Sequence, residues 1–221
     1  MIGVQLEFDR RVLEIEEYVK FLEKIESNQV LLTIPNSNSP AFSSQEQNDL
    51  LRTLKANAFL LLYNLVESTI VNAVEAIFDE FSTQGVSFDA CRKEVQLIVL
   101  DNLKCHKTSK ILPRLNAIAI DVVAKTFQKD RIVSGNVDAR KIKEMAEAYG
   151  FLKPSADGDQ LLTVKSNRND LAHGVKSFSE VGRDFLASDI SPIKTKVIHY
   201  LNTTLANIAS YIRQREYLAT P

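Results

Sequence analysis

The chain has 221 residues, 45% of them hydrophobic and 25% charged, with a formal net charge of −1. That length can bury a substantial core within one domain, and the near-neutral charge excludes a general polyanion binder that works through overall basicity. No window approaches 18 uncharged apolar residues, so no membrane span is expected, and the stretch from Met1 to Asp9 has neither a basic n-region nor an apolar core, so no secretory signal is expected.

A cytoplasmic location follows from these expectations. Cys91 and Cys105 sit on predicted helices at no metal-like spacing, which reads as reduced, buried thiols. Seven Gly and six Pro are few and suit long helices. The fold class expected is all-α: an up-and-down helical bundle forming one domain over 1–221.

Residues 7–27 predict a helix, with Val12, Leu13, Ile15, Val19, Leu22 and Ile25 recurring at helical intervals. Residues 28–44 contain Pro-Asn-Ser-Asn-Ser-Pro and predict a mobile loop, with Val30 to Ile34 as a short extended piece. Ser43 and Glu46 form a capping box, in which each side chain accepts from the other's backbone N–H. The helix it opens should run to Ser82, about 55–60 Å at 1.5 Å per residue. Its expected apolar face takes in Leu50, Leu51, Leu54, Ala58, Leu61, Leu62, Leu65, Val66, Ile70, Ala73, Val74, Ile77 and Phe81. Asn64 and Glu67 interrupt that run.

Ser87 predicts the cap of a helix over 88–104, with Cys91, Val95, Ile98 and Val99 facing inward. A further helix is expected from Pro113 to Gln128, since Pro is tolerated in a first turn. Asp138 or Asn136 then caps a short helix ending at Tyr149, where Gly150 stops it. Residues 177–187 predict a short helix or turn. A long helix over 190–217 is striped by Ile193, Val197, Ile198, Leu201, Leu205, Ile208 and Ile212. No repeat, phosphate loop or nucleophile elbow is present.

The densest chemistry lies between these helices, in Lys165-Ser-Asn-Arg168-Asn169-Asp170-Leu-Ala-His173-Gly174. Asp157 or Asp159 can start a helix here by accepting from its first free N–H groups. Gly174 is placed to end it at positive φ, with His173 in the last turn. Asn169 and His173 are four apart and share a face, whereas Arg168 and His173 point about 140° apart on a straight helix. Read alone, the pair is equally an ion-pairing surface Arg and a capping His.

Arg168-Asn-Asp-Leu-Ala-His173 resembles the signature of the HEPN superfamily, in which an Arg and a following polar residue precede a His by four to six intervening residues. The helix from Asn57 to Ile70, with Glu67 embedded, resembles that family's long early helix. Residues 134–139 resemble the connector of its prokaryotic MAE-type branch. Residues 45–215 fall inside the resemblance. It implies an all-helical ribonuclease, of the kind found in toxin–antitoxin and phage-defence systems, acting as a homodimer whose motif helices face one another. A cognate antitoxin protein would then be a partner. One departure matters: His173 is followed by Gly-Val-Lys, not by the X-Tyr of the branch paired with nucleotidyltransferase antitoxins.

The residue types suit the chemistry implied. RNA carries its own nucleophile, so attack by a 2′-OH on the adjacent phosphorus needs a group titrating near neutrality and a cationic donor, and no metal or other cofactor. His173 suits the first role and Arg168, with its planar fork, the second. Asn169 can fix the imidazole tautomer or donate to phosphate, and Asp170 completes the polar string. Lys165 and Lys176 flank the motif and can hold neighbouring phosphates. Glu67 either orients the motif helix or lies on a solvated face. His106 is read as lying on a solvated face and His199 as a satisfied helix-face residue, and with the histidines so dispersed no metal site is expected. Two other readings remain: a non-catalytic HEPN-like module binding RNA or a partner protein, and a purely structural bundle.

Overall fold

In the computed structural model, the residues described are 1–31, 33, 42–104 and 136–219. Among them are seven helices and no strand, so the fold is all-α. The helices are α1 (Ile2–Glu26), α2 (Ser44–Thr83), α3 (Lys93–Lys104), α4 (Ala139–Tyr149), α5 (Asp159–Ala172), α6 (Phe178–Arg183) and α7 (Ala187–Gln214). The helix expected over 113–128, together with Cys105 and His106, lies outside the described residues, as do positions 32 and 34 of the piece expected over 30–34.

Local chemistry explains several helix ends. Ser43 N donates to Glu46 Oε2 at 2.8 Å and Glu46 N donates back to Ser43 Oγ at 3.3 Å, so α2 begins as its sequence predicts. Asp138 Oδ1 accepts from Lys141 N at 2.9 Å to cap α4, and Gly150 ends it at φ 87°. Ser177 and Glu180 make a second reciprocal box at the start of α6.

Four expectations need correction. α1 begins at Ile2, and its core face is Phe8, Ile15, Val19 and Leu22; Leu13 is exposed, because two residues from Ile15 is about 200° around the helix. The helix expected from residue 88 begins at Lys93, because Cys91 instead forms an isolated antiparallel bridge with Leu218. Arg92 N donates to Tyr217 O and Ala219 N to Ala90 O, so this stretch pairs with the chain's C-terminal segment. That segment leaves α7 at Gln214, earlier than the expected 217, with Arg215 at positive φ.

The fourth concerns α2. It does not bury a single stripe: Ala56, Phe59, Tyr63, Thr69, Val71 and Phe78 are buried along with the predicted Leu62, Val66 and Ile77. Buried positions therefore run around much of the helix, as in one set into a core, while Asn64 and Asp79 stay exposed. By length and composition α2 is also apolar enough to cross a membrane, with 56% of its most apolar window buried inside the protein. Lys55, Glu67 and Glu75 break its apolar run, so α2 holds no uncharged window of 18 residues.

By its internal contacts the chain divides into two compact units interleaved in sequence. One comprises the described parts of Met1–Gln5, Glu67–Ala156 and Tyr200–Pro221. In it α3 packs on α4, and the rings of Phe78, Phe81, Tyr149, Phe151, Tyr211 and Tyr217 meet edge to face with centroids 5.0–6.2 Å apart. Tyr211 Oη donates to Tyr149 O at 2.7 Å, and Tyr200 Oη to Ala139 O at 3.3 Å, which fixes α7 against both ends of α4.

The second unit comprises Leu6–Val66 and Asp157–His199, and it carries the motif. Tyr18 Oη donates to Leu54 O at 2.7 Å, tying α1 to α2. Phe59 packs on Phe185 at 4.7 Å between centroids. Gly182 of α6 lies so close to α2 that a Cβ there would stand 1.9 Å from Arg52 O. Backbone against backbone cannot give way, so Gly182→Ala should cost at least the roughly 1–3 kcal/mol of an overpacked core. Denaturant unfolding checks this; an unchanged midpoint would show that α6 can slide on α2.

Candidate functional site

The motif occupies the C-terminal half of α5. Asp157 Oδ1 accepts from Asp159 N at 3.0 Å, which starts the helix where the sequence suggests. Its far end is a full Schellman cap. Gly174 takes φ 66°, its N–H donates to Leu171 O at 3.3 Å, and Val175 N donates to Asp170 O at 2.8 Å. His173 is therefore the C-cap residue, one place beyond the last helical turn, and its backbone N–H returns to Asn169 O at 3.0 Å. This cap projects the imidazole from a fixed backbone into an exposed position.

Arg168 is held differently. Its side chain is half-buried, with the guanidinium carbon 4.5 Å from the ring centroid of Tyr63 on α2. Tyr63 itself is fully buried. Arg168 Nη1 donates to Asn169 Oδ1 at 3.0 Å, so the next residue of the motif grips one edge of the fork. The Tyr63 ring and the Asn169 amide both restrain the group, which is how a long, flexible cation is held for a planar anion. No hydrogen bond joins Arg168 to His173 among the described residues. Asn167 points inward, donating to Thr163 O at 2.9 Å, and takes no part in the exposed surface.

The two flanking lysines differ. Lys165 is half-buried on α5, three residues before Arg168. Lys176 Nζ lies 3.8 Å from Asp170 Oδ2 and 3.5 Å from Asp184 Oδ2, between two carboxylates. Asp170 thus serves the lysine through its side chain and the helix cap through its carbonyl. Glu67 is half-buried on α2 and belongs to the other unit. His199 is exposed near the middle of α7.

Two contributors escaped sequence reasoning. Tyr63 was lost among the apolar residues of α2, although it is the lone tyrosine in Phe59-Leu-Leu-Leu-Tyr63. Asp184 follows α6 and gave no signal at all, since only the folded chain brings it to Lys176. Among the described residues no group of three or more His, Cys, Asp or Glu stands together as a metal site would require.

The arrangement offers a rigid guanidinium, an exposed imidazole and a lysine balanced between carboxylates on one short helix and its cap. A model of the HEPN_MAE_28990-like HEPN family matches residues 4–217. No curated protein and no solved structure matches the chain.

Proposed function

The chain belongs to the HEPN_MAE_28990-like HEPN family, and from that premise we propose that it is a metal-independent endoribonuclease. The observation that carries the reading is Arg168, fixed by Tyr63 and Asn169 and followed by an exposed His173 on a rigid cap. In the proposed reaction the 2′-OH loses its proton and attacks the adjacent phosphorus, and the 5′-oxygen leaves with a proton. His173 handles one of those protons, and Arg168 pairs with the non-bridging oxygens as charge builds on them. The product is a 2′,3′-cyclic phosphate. Unpaired RNA is the substrate, because in-line attack needs a backbone that can splay and duplex geometry resists it.

The biological setting proposed is a toxin of a toxin–antitoxin or phage-defence system, held in check in the cytoplasm by a cognate antitoxin protein. The active form proposed is a two-fold dimer with both motif helices on one cleft, which doubles the local positive charge that a chain of net charge −1 otherwise lacks. A second reading, a non-catalytic module that binds RNA or protein, is favoured by Lys176, whose charge is already answered by Asp170 and Asp184.

Incubating the purified protein with mixed single-stranded RNAs in EDTA separates these readings. The expected result is cleavage with cyclic-phosphate ends. Cleavage that stops in EDTA and returns with a divalent ion would overturn the metal-free mechanism, and intact RNA under all conditions would favour the binding module.

A further inference from the structure

We propose that Tyr63 is a positioning residue for the candidate site, setting which edge of the Arg168 guanidinium faces the substrate phosphate. The inference rests on the ribonuclease reading above. Its grounds are geometric. A guanidinium has one face-on and two edge-on directions of interaction, and an arginine on a helix end ordinarily samples many orientations. Here the guanidinium carbon sits over a fully buried ring, 4.5 Å from its centroid. Nη1 is turned toward Asn169 Oδ1. Those two restraints leave Nε and Nη2 without a hydrogen bond among the described residues, and these are the two donors whose spacing matches two oxygens of one phosphodiester.

The ring is suited to this task by its burial. Tyr63 is fully buried, so the ring cannot turn away, and the guanidinium held over it has a rigid partner. Asn169 alone could not do this, because a single hydrogen bond leaves the fork free to swing about it. Tyr63 touches no substrate atom in this account. It acts through Arg168, and what it supplies is the ring face.

The test compares wild type with Tyr63→Phe and Tyr63→Leu, reading kcat and KM separately for cleavage of a single-stranded RNA, and following the Arg168 Nε–Hε resonance by NMR. Tyr63→Phe keeps the ring and should stay within a few-fold of wild type in kcat. Tyr63→Leu should lose on the order of 10²-fold in kcat, the cost of a misplaced group, with a much smaller change in KM. In wild type and Tyr63→Phe the Arg168 Hε should be shifted upfield by the ring current, and should move when dimethyl phosphate is added. A folded Tyr63→Leu with wild-type kcat overturns the proposal, as does Tyr63→Phe losing as much as Tyr63→Leu. If Tyr63→Leu does not fold, the spectra decide: an Arg168 Hε without ring-current shift in wild type overturns it. Should the wild type cleave no RNA, the ribonuclease reading fails by itself, while the ring-current shift and the response to dimethyl phosphate still judge the positioning.

Discussion

Replacing His173 with alanine is expected to reduce RNA cleavage by roughly 10²–10⁴-fold, the usual contribution of a general acid or base, with no loss of fold. Arg168→Ala should cost roughly 10²–10³-fold, comparable to removing one preorganised donor to a developing oxyanion. The fold should survive both changes for structural reasons. The His173 side chain is exposed, and the cap it sits on is made by backbone groups and Gly174. Arg168 lies over Tyr63 without being part of the buried core. Arg168→Lys should rescue little, since one ammonium cannot span two phosphate oxygens and does not stack as a plane does. Mixing the two inactive variants then probes the proposed dimer. Recovered activity means that Arg168 of one chain works with His173 of the other, and continued inactivity means that each pair works within its own chain. Unimpaired cleavage by His173→Ala would falsify the assignment outright.

Glu26→Ala should be among the most destabilising single changes in the second unit. Glu26 Oε1 accepts from Lys55 Nζ at 3.0 Å, and Oε2 accepts from Ala187 N at 2.6 Å. One carboxylate therefore neutralises a lysine whose side chain is only 8% exposed and also caps the first turn of α7. Removing it strands a buried ammonium, which typically costs about 3–5 kcal/mol. Glu26 keeps some contact with water, so about 3 kcal/mol is expected, or roughly 6–12 °C in Tm for a chain of this size. Lys55→Met with Glu26→Gln should come back close to wild type: the charge pair is gone, and the amide oxygen of Gln still accepts from Ala187 N. A Glu26→Ala protein that melts with the wild type would mean that Lys55 finds water or another acceptor, and that the burial of this pair carries no energetic weight.

What the sequence disclosed depended on the range of the interaction. Features set by residues within one helical turn were readable: the Ser43–Glu46 box, the Asp138 cap, and the positive-φ ends at Gly150 and Gly174. The motif itself was also local, so Arg168, Asn169 and His173 could be named together. Errors arose where a distant segment decides. Cys91 has helical periodicity with Val95 and Val99, yet its pairing with Leu218 takes it out of the helix. Leu13 looked like core because it is apolar, but the side on which α1 is packed is set by Phe8, Ile15, Val19 and Leu22. Lys55 was invisible as a buried residue because nothing near it in sequence announces Glu26. The same holds for the candidate site: Lys176 reads as a free phosphate holder in the sequence, and only the fold shows Asp170 and Asp184 on either side of it.

The interleaving of the two units bears on synthesis. Each unit takes part of α2 and part of α7, so neither unit is a contiguous stretch of the chain. A ribosome adds about 5–20 residues per second and lets N-terminal segments fold first where they can. Here they cannot: Tyr63 emerges early, but the unit that holds it against Arg168 also requires α7 as far as His199. On the ribonuclease reading, a nascent or prematurely terminated chain therefore lacks a formed site beside the very messenger and ribosome that are making it. The order of emergence would itself act as a safeguard, with the capacity to cut RNA arriving only when translation of the fold is nearly done.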